Sequence, residues 1–312
     1  MARVFVTRMP FGDGLERLCG AGHEVGVWPH AEPPTRRQLL ERANEADALI
    51  SMLSDSIDAA LLDACPRLKV VANYAVGLDN VDLRAAAVRG IAVGHTPGVL
   101  TDATADLAFA LLLAAARRIP QCAEAVRQGR WGTWQPDRFL GADLVGATLG
   151  IVGAGRIGEA VARRAGGWDM TVLKTTSRGG TPLPELLERS DFVSLHVPLT
   201  PQTRHLIDSA ALRRMKPSAI LVNTARGPVV DTEALIDALY AGTIAGAALD
   251  VTDPEPLPSD HPLLRAPNVL VVPHVGSATP RTRAAMTEMC VDNVLAGLAG
   301  KPLPHPAPAP AP

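Results

Sequence analysis

The chain lacks any excess of positive charge: 30 Lys and Arg stand against 32 Asp and Glu in 312 residues, a formal net charge of -2. Nucleic-acid binders concentrate positive charge on one face, so no nucleic-acid partner is expected. A long hydrophobic run is also missing. The longest, LAFALLLAAA from Leu107 to Ala116, falls short of the roughly 20 apolar residues that span a bilayer, and it follows Asp106, so it reads as a buried helix. The N-terminal MARVFVTRMP enters a β-type run directly, without the apolar stretch and small-residue cleavage site of a secretory signal. Cysteine is scarce and scattered. Cys19, Cys65, Cys122 and Cys290 form no CxxC pair, so neither a metal site nor a disulfide framework is indicated, and reduced thiols in a cytoplasm are the expectation. With 47% hydrophobic residues, a chain of this length can bury the cores of about two soluble domains.

What is present is a βα rhythm. Short runs rich in Val, Ile and Ala, each followed by helical spacing, occur as RVFVT at 3, EVGVW at 24, ALISM at 48, LKVVAN at 68 and IAVGH at 91. A second series follows with TLGIVGAG at 148, MTVL at 170, DFVSLHVP at 191, AILVNTA at 219, IAGAALD at 244 and VLVVPH at 269. Near-continuous apolar strands predict parallel sheets covered on both faces, hence an α/β chain with two Rossmann-like domains. TPGVLTDATADLAFALLLAAARRIP lies between the series; Thr101 or Asp102 can cap a long helix there that must stop near Pro120, a crossing between domains. The tail KPLPHPAPAPAP is predicted to be extended and mobile, because proline offers no donor to a ladder.

Gly153, Gly155 and Gly158 spell GxGxxG after an apolar strand and before a helical pattern. In that context the first glycine permits a tight turn, the second lets backbone approach a pyrophosphate, and the third lets helix and strand pack closely. The bland alternative is a glycine-rich turn with no ligand. Roughly 20 residues beyond such a loop an Asp or Glu normally binds a free ribose 2′-hydroxyl. That acid is missing: Ser177 follows Gly158 by 19 positions, and the turn reads Thr176, Ser177, Arg178, with Lys174 nearby. Thr176 or Ser177 stands where the carboxylate would be. Hydroxyls and a guanidinium suit a 2′-phosphate, which predicts NADP(H) as the preferred cofactor with NAD as the lesser one. A solvated turn without specificity is the alternative.

Ligands of parallel α/β sheets bind beyond the carboxyl ends of the strands. Those ends carry Val76 and Gly77 in NYAVGLDNVD, Arg226 in NTARGPVVD, Asp250 and Glu255 in ALDVTDPEP, and His274 in PHVGSATP. Reduction of a carbonyl by hydride creates an alkoxide that needs a proton donor working near neutral pH, and His274 is the candidate. Glu255 can stabilise and orient its ring if the DPEP loop folds back beside the strand. Arg226 can hold a substrate carboxylate, with N–H groups at Val76 and Gly77 completing an anion grip, and Asp250 lies toward the nicotinamide end. His196, ending the strand in LHVP, is assigned to the adenine side. The competing reading makes His274 a hydrogen-bonded structural residue, pairs Arg226 with Asp231 in a turn, and makes Asp250 and Glu255 caps.

NYAVGLDNVD, TPGVLTDATADLAFALLLAAARR, GIVGAGRIG, SDFVSLHVPLTPQTRHLI, MKPSAILVNTARGPVVDTEAL, ALDVTDPEP and PHVGSAT together resemble the D-2-hydroxyacid dehydrogenase family, in particular its glyoxylate/hydroxypyruvate reductases. The resemblance spans nearly the whole chain. It implies a discontinuous substrate domain, 1–98 with 281–312, and a central nucleotide-binding domain, 99–280, with a dimerisation excursion near 100–145. It implies catalytic roles for Arg226, Glu255 and His274, substrate contacts at Leu53, Val76 and Gly77, and cofactor contacts at Thr104, Arg156, Ile157, Pro198, Thr203, Thr224, Asp250 and Gly276. A homodimer is implied too, built on the helix after Asp102 and on RQGRWGTWQPDRFLG, whose aromatics lack a purpose in a soluble monomer. The implied reaction is NADPH-dependent reduction of glyoxylate or hydroxypyruvate to glycolate or D-glycerate, with reduction of another 2-ketoacid as the near alternative.

Two departures stand out. GGTPLPELLERS runs almost directly into the next helix, where most relatives have a longer helix and a short strand, and Arg138 stands where some reductases send a tryptophan toward the partner's substrate. The formate dehydrogenase branch carries a Gln/His pair where Glu255 and His274 stand, and the long-form phosphoglycerate dehydrogenases need a regulatory domain beyond this length. A different class, nucleotide-sensing corepressors of the same fold, would need a long interaction region or loss of the substrate grip.

Overall fold

The computed structural model describes residues 1–309, and the chain divides into two compact units, Met1–Leu100 with Ser277–Pro312 and Thr101–Gly276. The first unit holds a parallel sheet of β1 (Arg3–Val6), β2 (Glu24–Val27), β3 (Ala48–Ser51), β4 (Val70–Asn73) and β5 (Ala92–Gly94), in the order β2-β1-β3-β4-β5. Every residue of β3 and β4 is buried, because helices cover both faces of a sheet whose consecutive strands are joined by crossovers. The helix Pro280–Leu298, capped by the Thr279 hydroxyl accepting from the Thr282 N–H, packs on β3 and β4. Cys290, Val291 and Val294 from that helix share a core with Val4, Val6, Ile50 and Val70.

The second unit contains β6 (Thr148–Val152), β7 (Thr171–Thr176), β8 (Gly179–Gly180), β9 (Phe192–Leu195), β10 (Ile220–Asn223), β11 (Gly246–Leu249) and β12 (Val269–Val271), in the order β12-β11-β10-β9-β6-β7-β8. All pairings are parallel except β7 with β8. The chain is thus an α/β protein with two dominantly parallel sheets, as the two apolar series predict. The helix Thr101–Ala116 buries Ala105, Ala108, Phe109, Leu111 and Leu112, and packs against Ala160, Val161 and Ala165 of the helix Arg156–Gly166. None of the helices in the described residues is long and apolar enough to cross a membrane.

One local expectation needs correction, one strand is new, and the long helix stops near Pro120 as expected but by a different device. The long helix ends at Ala116, ahead of Pro120: Arg118 turns left-handed at φ 51°, and Pro120 sits in the first turn of the next helix, Ile119–Arg127. A proline there removes a donor that no helical acceptor needs. The two-residue strand β8 was not foreseen, since Gly179 and Gly180 carry no side-chain pattern. The tail is not free along its described length. Pro306 bridges Gly94 antiparallel, the Ala307 N–H donates to Val93 O at 2.8 Å, and Leu303 packs on the first unit's core. The proline-rich segment therefore lies along β5, using its few remaining N–H groups; residues 310–312 of the predicted mobile tail lie outside the described residues.

Candidate active site

In the second unit, β6 runs into the glycine loop and the helix Arg156–Gly166 leaves it. Gly153 has φ 95°, and a Cβ on it would stand 2.7 Å from the His196 carbonyl carbon; one on Gly158 would stand 2.3 Å from Gly153 O. The fold itself demands glycine at both places. Gly155 differs: a Cβ there would meet nothing within 4 Å. Gly155 is the N-cap and offers no side-chain cap to the helix, so the N–H groups of Arg156 and Ile157 open the helix unsatisfied by a cap. Open space over uncapped donors at a helix N-terminus fits a pyrophosphate.

Beyond β7, Ser177 and Arg178 form the two-residue turn into β8, with Thr176 paired to Gly179. The Thr176 hydroxyl holds this turn by donating to Gly179 O at 3.0 Å and accepting from the Arg178 N–H at 3.1 Å. Lys174 is engaged elsewhere, its Nζ donating to Glu159 Oε2 at 2.7 Å. The guanidinium of Arg178 is exposed and has no ion-pair partner among the described residues.

At the end of β9, His196 shares a 2.8 Å hydrogen bond with the Ser194 hydroxyl through Nε2, while its Nδ1 is buried without a partner among the described residues. Burial lowers the imidazole from an ordinary 6.5 to about 4. The folded chain therefore binds fewer protons here than the unfolded chain between those values, and the stability present above pH 6.5 is lost as pH falls toward 4. Between pH 7 and pH 5 the differential is about 2 kcal/mol. Urea unfolding of the parent and of His196→Gln at both pH values should show this extra loss in the parent alone; parallel profiles would rule out a buried neutral imidazole. Thr203, further along, spends its hydroxyl locally, donating to Pro198 O at 2.6 Å and accepting from the Thr200 N–H at 2.8 Å.

β10 ends in Asn223, whose side chain accepts from the Ala225 N–H at 3.0 Å and donates to Arg226 O at 2.9 Å. These bonds fix the backbone around half-buried Arg226, whose Nη1 donates to Ala225 O at 2.9 Å. Asp231 accepts from the Ala234 N–H as the N-cap of the helix Thr232–Tyr240. The Thr224 hydroxyl is buried without a partner among the described residues, an orphan that an added ligand could satisfy.

β11 delivers Asp250, which is 2% exposed. Its carboxylate accepts from the N–H groups of Val275 at 2.6 Å and Gly276 at 2.9 Å, and its carbonyl accepts from the His274 N–H at 2.9 Å. Burial raises the Asp250 carboxyl above the ordinary carboxylate value against the opposing pull of those donors. Asp250 thus clamps the whole His274 turn, a role beyond the nicotinamide contact expected of it. Gly276 also accepts from the Thr104 hydroxyl at 3.2 Å. His274 itself sits in the left-handed region at φ 51°, a conformation the clamp maintains, and its Nδ1 lies 2.6 Å from Glu255 Oε1. A carboxylate only accepts, so Nδ1 carries the proton and Nε2 is the nitrogen left for chemistry.

In the first unit, the Leu53 turn and the Val76–Gly77 turn are tied together by residues not foreseen as part of a site. Asn80 Nδ2 donates to Met52 O at 3.1 Å and Asp55 O at 2.9 Å, Asn73 Nδ2 donates to Gly77 O at 3.0 Å, and Asp55 accepts from the Met52 N–H at 2.7 Å. The N–H groups of Val76 and Gly77 have no acceptor among the described residues. Two adjacent free donors on a fixed turn are the kind of arrangement that suits an anion. Asn73 was discoverable as a polar residue closing a buried strand; Asn80 carried no such signal.

Residues 109–276 match the family model "D-isomer specific 2-hydroxyacid dehydrogenase, NAD binding domain". The chain is 50% identical to a glyoxylate reductase of Korarchaeum cryptofilum, over 97% of this chain and 95% of that one. The chain belongs to the D-2-hydroxyacid dehydrogenase family. A glyoxylate reductase of Thermococcus litoralis is 47% identical over 97% of this dehydrogenase and 96% of its own length. Among solved structures, a Thermus thermophilus protein aligns with TM-score 0.93 at 51% identity, covering 98% of this chain and all of its own. An NADPH-dependent glyoxylate/hydroxypyruvate reductase of Sinorhizobium meliloti, solved with NADP and malonate, aligns with TM-score 0.86 at 35% identity over 98% of this chain and 96% of that one. As a D-2-hydroxyacid dehydrogenase the chain is an NAD(P)-dependent oxidoreductase, and the glycine loop, the uncapped helix and the Thr224 orphan are consistent with the dinucleotide.

Proposed function

We propose that this dehydrogenase reduces glyoxylate, and hydroxypyruvate beside it, to glycolate and D-glycerate with NADPH preferred. The observation that carries the reading is the His274–Glu255 pair, Nδ1 to Oε1 at 2.6 Å, in a chain 50% identical to a glyoxylate reductase. Reduced nicotinamide, when bound, would supply the hydride for the carbonyl carbon. His274, protonated on both nitrogens, gives its Nε2 proton to the oxygen as that oxygen gains negative charge, and Glu255 stabilises the imidazolium before transfer. Arg226 and the free N–H groups of Val76 and Gly77 hold the substrate carboxylate, with Leu53 as its apolar neighbour. Gly153, Gly155, Arg156, Ile157 and Gly158 would cradle the pyrophosphate; Asp250 would serve the nicotinamide end and His196 the adenine side, with Thr104, Pro198, Thr203, Thr224 and Gly276 as further cofactor contacts.

The preference for NADPH rests on the turn Thr176–Ser177–Arg178, with its exposed guanidinium and no carboxylate. Arg178→Ala should raise the KM for NADPH about tenfold while leaving that for NADH within about twofold, the loss of one charge-assisted contact. Equal changes would remove Arg178 from phosphate recognition. The function is tested by glyoxylate-dependent oxidation of NADPH and NADH side by side, with hydroxypyruvate and pyruvate compared. Turnover favouring NADPH is expected; preference for NADH would sink the cofactor reading alone, and turnover with pyruvate in preference to glyoxylate would replace the substrate.

The same reading includes a homodimer. Trp131, Trp134, Leu140 and Val145 are 65–79% exposed, apolar area that a second copy would cover. Arg138 stacks its guanidinium over its own Phe139 ring at 4.7 Å. Sedimentation equilibrium giving a monomer at micromolar concentration would overturn the dimer.

A further inference from the structure

The Val76–Gly77 peptide is planar, so its C=O and N–H point in opposite directions. Whatever holds Val76 O therefore sets where the Gly77 N–H aims. The group that holds it is His95, at the end of β5, whose ring Nδ1 lies 3.0 Å from Val76 O. A carbonyl only accepts, so Nδ1 carries the proton and donates. The next peptide is fixed in the same way by Asn73 Nδ2 on Gly77 O at 3.0 Å, and the preceding one by the Thr96 N–H on Ala75 O at 2.9 Å. All three peptides of the turn are thus held by their carbonyls, which leaves the Val76 and Gly77 donors free and preorganised.

His95 is itself held from the far end of the chain. Its N–H donates to His305 O at 3.0 Å, and its carbonyl accepts from Asn293 Nδ2 at 3.3 Å. Fully buried Asn293 also accepts from the His305 N–H at 3.0 Å through Oδ1, closing a ring of bonds among the three residues. Gly94 makes room for it: a Cβ there would stand 2.5 Å from Asn293 Cγ. The Pro306 bridge to Gly94 and the Ala307 N–H on Val93 O at 2.8 Å extend the attachment along β5.

We propose that His95 is a positioning residue for the substrate carboxylate grip, and that the C-terminal segment Leu303–Ala307 is the strap that keeps it in place. The inference rests on the reading of Val76 and Gly77 as that grip. It gives the tail a task in substrate recognition rather than in cofactor binding: the strap and His95 act on the Val76–Gly77 turn, while the glycine loop lies in the other unit.

Steady-state kinetics on full-length variants tests it, with KM for glyoxylate and KM for NADPH measured separately. His95→Leu, which removes the donor, should raise the glyoxylate KM about tenfold and leave the NADPH KM within about twofold, the scale of one lost hydrogen bond. His95→Asn, whose amide N–H occupies the place of Nδ1, should restore the glyoxylate KM to within about threefold of the parent. Ala307→Pro, which deletes the N–H bonded to Val93 O, should raise the glyoxylate KM in the same direction. An unchanged KM in His95→Leu, an Asn variant as impaired as the Leu variant, or a parallel rise in both KM values would overturn the role of His95; an unchanged KM in Ala307→Pro would overturn the strap. His95→Gln, with its donor displaced from the Nδ1 place, serves as the removal variant if His95→Leu is insoluble. Gly77→Pro separates the two layers: if eliminating that N–H leaves the glyoxylate KM unchanged, the grip reading falls, and if it raises KM while His95→Leu is silent, only the positioning role falls.

Discussion

His274→Ala is expected to lower kcat for ketoacid reduction by about 100- to 10,000-fold, the range of a positioned general acid, with little change in cofactor affinity. The geometry sets this expectation. The ring Nδ1 is committed to Glu255 at 2.6 Å, and the backbone is held by Asp250 through the N–H groups of residues 274, 275 and 276. On the proposed mechanism, an imidazole this restrained in tautomer and direction would deliver its Nε2 proton without searching for orientation. Glu255→Gln should follow it with a smaller loss, because the amide keeps a hydrogen bond but not the negative charge that favours imidazolium. Stopped-flow turnover and fluorescence titration of the cofactor separate the two effects: equal loss of turnover and cofactor affinity in His274→Ala would mark the histidine as structural.

The second large effect is expected at a residue without a functional group. A Cβ on Gly227 would stand 1.9 Å from Thr252 O and 2.1 Å from its carbon, and both contacts are backbone. Neither atom can rotate away, so Gly227→Ala must push apart the loop after β10, which carries Arg226, and the loop after β11, which leads through cis Asp253–Pro254 to Glu255. Overpacking against backbone that cannot yield is expected to cost about 3 kcal/mol, the upper end of the usual range, which lowers the melting temperature by about 6 to 12 °C in a unit of this size. Turnover should fall at 25 °C in the protein that remains folded, since the guanidinium and the carboxylate move relative to each other. Calorimetry beside kinetics decides this; a variant with parental melting temperature and turnover would show that the two loops part at no cost.

How much was legible beforehand follows from the kind of information each feature needs. The βα series read correctly because parallel strands such as VVAN and ILVN are buried on both faces and stay apolar without interruption. The Asp250 turn, Glu255 and His274 were visible as polar residues closing such strands, but the direction in which Asp250 spends its carboxylate, on the backbone of its neighbour strand's turn, is a tertiary fact. β8 escaped notice because a Gly-Gly pair signals only a turn, and its antiparallel pairing depends on a Thr176 hydroxyl reaching Gly179 O. Pro120 marked the break but not the side of it on which it sits: proline ends one helix and begins another equally well, and the left-handed Arg118 that separates them carries no composition mark. Asn293 and His305 were invisible as partners of His95, since their meeting spans some 200 residues of sequence.

The turn beyond β7 has one more implication. Its shape is maintained by Thr176 and by the backbone of two glycines, while the side chains of Ser177 and Arg178 hold nothing of the fold in place. On the proposed reading, cofactor choice rests on two positions that folding does not read. If that reading holds, substitution there would shift the balance between the two dinucleotides without disturbing the core, so that a lineage carrying this chain would meet a changed supply of reducing equivalents by altering two exposed side chains.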